Sequence, residues 1–139
     1  MDTEPSLSPE QIDELLEVAR QAREHAYAPY SNFRVGAALL TAGGRIVAGC
    51  NVENASYGLT LCAERVAIGN ALVQGERVLE AIAIIAEQDD GPVLPCGGCR
   101  QVMAEFNPLL TVITANTAGL IKIFRLDELL PYHFNFIVR

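Results

Sequence analysis

Basic residues are scarce in this sequence. Lysine and arginine together number 10, against 17 aspartate and glutamate residues, and the formal net charge is −7 at neutral pH. Proteins that bind nucleic acids depend heavily on Lys and Arg side chains to neutralise the phosphates. The composition therefore argues against a polynucleotide partner, and we expect a small substrate that is uncharged or cationic.

Long apolar runs are lacking as well. Half of the 139 residues are apolar, but no stretch reaches the roughly 20 residues that span a bilayer. The acidic residues 1–5 are followed by no apolar segment of the signal-peptide type. We expect a cytoplasmic protein with no membrane partner, in which the cysteines stay reduced. The mean hydropathy of +0.23 is high for a small chain, which predicts that part of the apolar surface forms a subunit interface.

Internal repeats, low-complexity tracts and linkers are absent too. A chain of 139 residues suits one hydrophobic core and is too short for two ordinary domains. The sequence therefore predicts a single catalytic domain over residues 1–139, in which residues 1–7 form a flexible tail.

The hydrophobic pattern predicts helices that alternate with strands after an initial hairpin. Ser8, Pro9 and Gln11 are typical of a capped helix start, and Pro29 is predicted to end this first helix. Apolar residues follow at helical spacing, at Ile12, Leu15, Leu16, Ala19 and Ala22. Two strands, over 35–40 and 45–52, are predicted on either side of a turn at residues 43–44.

The second half of the chain predicts three more strands. They cover residues 78–86, 110–115 and 120–124, with helices over about 62–74 and from 96 to just before 107, and a last helical turn over 127–130. The strand at 78–86 is apolar on both faces, which is typical of a strand covered on two sides. The fold class is therefore α/β, a three-layer α/β/α arrangement with a mixed five-stranded sheet.

Histidine, the commonest zinc ligand besides cysteine, occurs only twice, at His25 and His133, and both positions lie outside the motifs that carry chemistry. Those motifs are Cys-x-Glu at residues 62–64 and, about 30 residues later, Pro-Cys-x-x-Cys at residues 95–99. Three thiolates can hold Zn²⁺ and leave its fourth tetrahedral position open for water. A neighbouring carboxylate can then move the proton of that water.

Each cysteine motif lies where a helix is predicted to begin. The free N–H groups and the positive dipole end at such a position stabilise a thiolate. Glu64 is the candidate carboxylate base, and Arg65 is predicted to donate hydrogen bonds to the ligand sulfurs.

Other interpretations of the cysteines remain open. Cys50 could join Cys62, Cys96 and Cys99 in a closed structural site, although a buried apolar role is the default for a strand cysteine. Cys96 and Cys99 alone could form a redox dithiol, which would leave Cys62 and Glu64 without a role.

Taken together, these motifs resemble those of the small, homotetrameric, zinc-dependent cytidine deaminases, within the cytidine and deoxycytidylate deaminase superfamily. The resemblance extends roughly from Tyr27 to Phe134. It is carried by residues 27–33, 35–39, 49–57, 62–65 and 95–101. It implies one zinc ion per subunit, bound by Cys62, Cys96 and Cys99, and Glu64 as the catalytic proton shuttle.

The resemblance also implies roles in substrate binding. Asn51 and Glu53 would hydrogen-bond the ribose hydroxyls, Phe33 would pack beside the nucleoside, and the backbone of Ala63 would contact the base. Phe134 would reach the pocket of a neighbouring subunit. The alternatives are core packing for the two phenylalanines and turn chemistry for Asn51 and Glu53. The apolar residues 135–139 depart from the polar tail expected for the family.

The activity implied is hydrolytic deamination of cytidine and 2′-deoxycytidine to uridine and 2′-deoxyuridine with release of ammonia, a step of pyrimidine salvage. It would take place in a homotetramer with shared active sites. One alternative is a deaminase of another cytosine nucleoside, such as blasticidin S. A non-catalytic structural zinc module is another. A polynucleotide-editing deaminase conflicts with the acidic charge.

Overall fold

A computed structural model describes residues 7–136 of the chain, and within them the strands form one sheet. The strands are β1 Val35–Thr41, β2 Ile46–Cys50, β3 Leu79–Ala86, β4 Thr111–Asn116 and β5 Ile121–Arg125. Their order in the sheet is β2-β1-β3-β4-β5. The pair β3–β4 is parallel and the other three pairs are antiparallel, so the predicted mixed sheet is confirmed.

The helices are α1 Pro9–Arg23, α2 Ala63–Val73, α3 Gly97–Phe106 and α4 Leu126–Leu129, with a 3₁₀ turn at Tyr57–Leu59. No helix within residues 7–136 is both long and apolar enough to cross a membrane. Of the predicted tail, residues 1–6 lie outside the described residues. Leu7 is described, and its side chain packs against the core beneath α1.

Two hydrophobic clusters cover the two faces of the sheet. One lies beneath α1 and takes its strand residues from Ala38, Leu40, Ala81, Ala83, Ile85, Ile113 and Ala115. The other lies beneath α2, α3 and α4 and takes its strand residues from Ala37, Leu39, Val47, Leu79, Ile82, Ile84, Ala86 and Val112. The central strand β3 contributes to both clusters because its side chains alternate between the faces. The three-layer α/β/α architecture is therefore confirmed.

The start of α1 follows its sequence signal. Ser8 accepts a hydrogen bond from the Gln11 backbone, and the Gln11 side chain accepts one from the Ser8 backbone. The predicted end at Pro29 is wrong, because α1 ends at Arg23. Tyr27 cannot remain helical since its N–H donates to the Asn51 carbonyl at 3.0 Å and its carbonyl accepts from Glu53 at 2.8 Å.

Strand β2 is also shorter than predicted. It ends at Cys50, and Val52 forms isolated bridges with Tyr27 and Leu61 instead of extending the hairpin. These bridges hold the segment before α2 against the segment after α1. The segment before α2 is thereby held beside the residues that precede β1 and follow β2, where the site lies.

Candidate active site

Three cysteine sulfurs meet where α2 and α3 begin. The Sγ atoms of Cys62, Cys96 and Cys99 lie within 4.8 Å of one another, and the Cys62–Cys96 distance is 4.0 Å. Zinc–sulfur bonds of about 2.3 Å in tetrahedral geometry place ligand sulfurs about 3.8 Å apart. The cluster therefore has the spacing of a zinc site with three protein ligands.

Helix starts position all three thiols. Cys62 is the N-cap residue of α2 and Cys96 is the N-cap residue of α3, as predicted. The Cys96 sulfur accepts a hydrogen bond from the Cys99 backbone N–H at 3.4 Å. Both helices therefore direct the positive ends of their dipoles towards the sulfurs, which stabilises thiolates.

The thiols of Cys62 and Cys99 have pKa values shifted in opposite directions. A hydrogen bond from the Cys99 thiol, together with contacts from Arg65, lowers the pKa of Cys62 to about 5. The pKa of Cys99 is raised, because its thiol donates to Cys62 and because it is buried. Of these two thiols Cys62 is therefore the one that ionises more readily, and zinc binding must release the proton of Cys99.

Arg65 lies beside the cluster, on the first turn of α2. Its Nη2 donates to the Thr60 carbonyl at 3.1 Å and to the Cys62 sulfur at 3.8 Å. Its Nε is buried and has no hydrogen-bond partner among the described residues. The position of this cation fits three thiolates and Zn²⁺, whose formal charges sum to −1. The donor set and its surroundings therefore fit one zinc ion per chain.

A pocket of about 200 Å³ opens beside the sulfurs. Glu64 lines it with a side chain that is only 4% exposed, and burial raises the pKa of its carboxyl group. The other lining residues are mostly apolar: Phe33, Val35, Asn51, Thr60, Leu61, Cys62, Ala63, Ile84, Val93, Leu94 and Cys96. An apolar pocket with a few convergent polar groups is the usual form of a small-molecule site.

The structure brings Phe33, Asn51, Ala63 and Glu64 together at this pocket, but not Glu53. Asn51 is buried, and its amide accepts from the Val35 N–H at 2.9 Å and donates to the Phe33 carbonyl at 2.8 Å. This amide therefore joins β2 to the segment that leads into β1, in addition to facing the pocket.

Glu53 lines an adjoining cleft of about 410 Å³, together with Tyr30, Ser31, Tyr57 and Thr60. Its carboxylate accepts hydrogen bonds from the Ser31 hydroxyl and from the backbone N–H groups of Tyr30 and Ser31. Thr60 lines both cavities, so the two lie next to each other and share this residue. The predicted ribose pair is thus divided between two neighbouring cavities.

Phe134 is outside the lining of its own chain's pocket. Its side chain is 70% exposed, while its backbone exchanges two hydrogen bonds with the Gln101 side chain on α3, at 2.9 and 3.1 Å. The last residues of the chain, 137–139, lie outside the described residues.

The sequence reasoning missed six pocket residues: Val35, Thr60, Leu61, Ile84, Val93 and Leu94. Thr60, Leu61, Val93 and Leu94 lie within three residues of Cys62 or Cys96, so proximity to the two motifs was the signal that could have found them. Val35 and Ile84 lie on β1 and β3, far from both motifs along the chain. Apolar residues at these positions carry no chemical signature of their own.

Cys50 does not belong to the sulfur cluster. It is half-buried at the end of β2 and lines a different cleft with Ala22, His25, Ala48, Gly49 and Val66. The closed site with four cysteine ligands is therefore not formed. Neither histidine joins the cluster of potential ligands found within residues 7–136.

Comparison with known proteins agrees with this geometry. The family model described as "Cytidine and deoxycytidylate deaminase zinc-binding region" matches residues 9–115. A cytidine deaminase of Halalkalibacterium halodurans is 53% identical over 121 residues, which are 86% of this chain and 91% of that protein. A cytidine deaminase of Sporosarcina psychrophila is 46% identical over 125 residues, covering 89% and 91% of the two chains.

A solved structure extends the similarity to three dimensions. The crystal structure of cytidine deaminase from Burkholderia pseudomallei superposes with a TM-score of 0.85 at 52% identity, over 88% of this chain and 98% of the other. The matched residues 9–115 include all three clustered cysteines and Glu64. Because the family model, the similar proteins and the cluster of three cysteines all agree, the chain belongs to the cytidine and deoxycytidylate deaminase family.

Proposed function

We propose that the protein catalyses the zinc-dependent hydrolytic deamination of cytidine and 2′-deoxycytidine, giving uridine or 2′-deoxyuridine and ammonia. The relatives that share about half of its residues are named cytidine deaminases, and they cover most of the chain. The reaction belongs to pyrimidine salvage, and residues 1–139 would act as a single catalytic domain.

One observation carries this proposal. A buried carboxylate, Glu64, lies two residues after a zinc-ligand cysteine and faces a small apolar pocket together with Cys62 and Cys96. A purely structural zinc site is closed by four protein ligands, whereas this cluster has three. Three cysteine ligands would leave the fourth coordination position of a bound zinc ion open, next to a carboxyl group that can move protons.

The chemistry follows from the positions of these groups. Zinc, when bound by the three cysteines, makes a water more acidic and so supplies the nucleophile. Glu64 accepts the proton of this water at a carboxylate oxygen and transfers it to N3 of the cytosine ring as the water oxygen bonds to C4. Glu64 then moves the second proton to the departing amine, which leaves as ammonia. The raised pKa of Glu64 suits an acid–base group that must both accept and donate.

The pocket walls supply binding. Phe33 offers an aromatic side chain beside the base, and the first-turn backbone of α2 at Ala63 is available to the base edge. Asn51 retains one amide hydrogen and one oxygen lone pair for the ribose after its two backbone contacts. Glu53 would bind the other ribose hydroxyl from the adjoining cleft, and its carboxylate would then accept this hydrogen bond in addition to those from Tyr30 and Ser31.

We also propose a homotetramer with shared active sites. The exposed aromatic residues near the C-terminus support this assembly, since Tyr132, Phe134 and Phe136 are between 70% and 94% exposed. Phe134 lies outside its own pocket, so it is available to a neighbouring one. Light scattering on the purified protein tests the assembly, and replacing Phe134 with Ala should raise KM if the side chain reaches a neighbour's substrate.

The proposed location is the cytoplasm, because three thiol ligands must stay reduced to bind zinc and the described cysteines form no disulfide. Polynucleotides are not expected as partners given the net charge of −7. Failure of single-stranded oligonucleotides to inhibit deamination of the nucleoside would support this expectation.

The deciding experiment is direct. Zinc-loaded protein is incubated with cytidine, 2′-deoxycytidine or blasticidin S, and the loss of ultraviolet absorbance is followed together with ammonia release. We expect turnover of the two nucleosides with equal amounts of ammonia and product. A zinc-loaded, folded protein that deaminates neither nucleoside would overturn the proposal, and preferential turnover of blasticidin S would reassign the substrate.

A further inference from the structure

Helix α2 touches strand β2 with no space between their backbones at Gly49. A Cβ atom built at Gly49 would lie 2.5 Å from the Ala63 carbonyl oxygen, 2.5 Å from the Ala67 nitrogen and 2.9 Å from the Ala67 Cα. All three are backbone atoms, so no change of side-chain rotamer could make room. The carbonyl of residue 63 and the N–H of residue 67 are separated as helical hydrogen-bond partners are, and they follow the first bond of α2, from the Val66 N–H to the Cys62 carbonyl.

The start of α2 positions one zinc-ligand cysteine and the candidate acid–base group. Cys62 immediately precedes the first turn of α2, and Glu64 and Arg65 lie on it. The other two zinc-ligand cysteines, Cys96 and Cys99, belong to α3. A displacement of α2 away from β2 would therefore move Cys62 and Glu64 relative to the other two sulfurs.

The size of the displacement decides its effect. Ordinary contact begins at 3.4 Å, so relieving a 2.5 Å approach requires a movement of about 0.9 Å (3.4 − 2.5). Metal–ligand distances tolerate only about 0.2 Å, and misplacing a reacting group by about 1 Å can cost about a hundredfold in rate. A single methyl group at position 49 is thus sufficient to distort both the zinc site and the position of Glu64.

We infer that Gly49 is a positioning residue for the metal site: the absence of a side chain there sets the separation of α2 from β2, and hence that of Cys62 and Glu64 from Cys96 and Cys99. The kinetic consequences rest on the proposed deamination, whereas the consequences for metal binding do not. Gly49 has no contact with substrate in this role and acts through α2.

Two other glycines provide matched controls. Gly36 on β1 lies even closer to α1, since a Cβ there would be 1.9 Å from the Ala19 carbonyl oxygen and 2.7 Å from the Arg23 nitrogen. Helix α1 carries none of the pocket residues. Gly69 lies on α2 itself, and a Cβ there would meet no atom within 4 Å. Gly36→Ala therefore crowds a helix that carries no pocket residue. Gly69→Ala adds a methyl group to α2 without crowding any neighbouring atom.

The experiment compares Gly49→Ala, Gly36→Ala and Gly69→Ala with the wild-type protein. Zinc affinity is measured by chelator competition, and Co²⁺ replaces zinc so that its visible absorption reports the geometry of the thiolate ligands. Circular dichroism gives the folded fraction, and kcat and KM are measured with cytidine.

For Gly49→Ala we expect zinc affinity to fall about 10- to 100-fold, the cobalt bands to shift, and kcat to fall more than KM changes. Gly36→Ala should lower the melting temperature but keep the wild-type cobalt spectrum. Gly69→Ala should keep the wild-type zinc affinity, cobalt spectrum and kinetics, and it should be at least as stable as the wild type because alanine favours the helix.

Three results would overturn the inference. They are a wild-type cobalt spectrum and zinc affinity in Gly49→Ala, equal loss of affinity in Gly36→Ala, or a Gly49→Ala protein that fails to fold while Gly36→Ala folds. The last result would make Gly49 a requirement of the fold instead of the site. If the wild-type protein does not deaminate cytidine, the proposed function fails, yet the cobalt spectra and zinc affinities still decide the role of Gly49.

Discussion

The Arg65 guanidinium lies 3.8 Å from the sulfur of Cys62, which precedes it by three residues at the start of α2. The same Nη2 atom holds the Thr60 carbonyl at 3.1 Å, so the side chain is held in place against the sulfur cluster. The contact lowers the pKa of Cys62 and raises that of Arg65. A permanent cation therefore offsets the negative charge that three thiolates give to a zinc site.

Replacing Arg65 with Gln should weaken zinc binding about 10- to 100-fold. Glutamine removes the positive charge while it retains a hydrogen-bond donor, so the pKa of Cys62 should rise and protons should compete better with the metal. Chelator competition at several pH values measures the effect, which should grow as the pH falls. The control is Arg20→Gln, because Arg20 pairs with Glu17 on an exposed part of α1. Unchanged zinc affinity in Arg65→Gln would contradict the charge-compensating role.

Replacing Glu64 with Gln should abolish proton transfer and leave the zinc site intact. We expect kcat to fall by a factor of about 10² to 10⁴, with one zinc ion per chain still bound. Glu80→Gln, at an exposed position on β3, is the control and should keep full activity. Residual activity close to that of the wild type would show that Glu64 is not the acid–base group.

The same variant tests the burial of Glu64 in the metal-free protein. Because burial raises the pKa of this carboxyl group, the folded protein holds a proton that the unfolded chain loses at lower pH. The free energy of unfolding of the wild type should therefore fall relative to that of Glu64→Gln as the pH rises above the ordinary glutamate range. The difference should become constant above the folded-state pKa. Denaturant titrations of both metal-free proteins across this range measure it.

Cys50→Ser should bind zinc normally, because Cys50 lies in a separate cleft and outside the three-sulfur cluster. Cys99→Ser should lose most of the bound zinc, since Cys99 is the buried member of the cluster. Metal analysis of both purified variants gives zinc per chain directly. Zinc loss in Cys50→Ser would restore the interpretation as a closed structural site.

Local signals account for the parts of the fold that the sequence predicted. The capping residues Ser8 and Gln11 determine where α1 begins, and Gly75, with φ of +86°, follows the end of α2 in the left-handed conformation that favours glycine. The two cysteine motifs were predicted at helix starts for the same reason, since the spacing of ligand residues along the chain is itself a local property.

Long-range contacts account for the differences. Helix α1 ends before Pro29 because Tyr27 pairs with Asn51 and Glu53, which are more than 20 residues away along the chain. The hydrogen bond from the Ser31 hydroxyl to the Glu53 carboxylate joins the same two segments of the chain. Such contacts leave no periodic pattern in the sequence, so the division of Asn51 and Glu53 between two cavities could be found only in the structure.

Replacing Asn51 with Ala should destabilise the protein as well as weaken substrate binding. The buried amide satisfies the Val35 N–H and the Phe33 carbonyl, and leaving such buried groups without partners costs about 1–3 kcal/mol. Chemical denaturation measures the loss, with Asn70→Ala as the control because Asn70 is an exposed residue of α2. An effect on KM without loss of stability would mean that the amide serves the substrate alone.

Replacing Ser31 with Ala should raise the pKa of Glu53. The Ser31 hydroxyl is the main cause of the lowered pKa of this carboxyl group, and backbone N–H groups of Ser31 and Tyr30 add to it. The wild-type carboxylate therefore stays ionised as the pH falls through the ordinary glutamate pKa of about 4.3, whereas the variant should take up a proton at higher pH. Carbon-detected NMR titration of the glutamate carboxyl groups measures the shift.

The same change has a kinetic and a thermodynamic consequence. If the Glu53 carboxylate binds a ribose hydroxyl, KM for cytidine should begin to rise at a higher pH in Ser31→Ala than in the wild type. A depressed folded-state pKa contributes stability above the unfolded-state value and loses it below, so the stability difference between the two proteins should shrink as the pH falls. Ser56→Ala is the control, because the Ser56 side chain makes no capping hydrogen bond. If the NMR titration of Glu53 shifts but the pH dependence of KM does not, the Ser31–Glu53 contact is confirmed. The role of Glu53 in ribose binding is then contradicted.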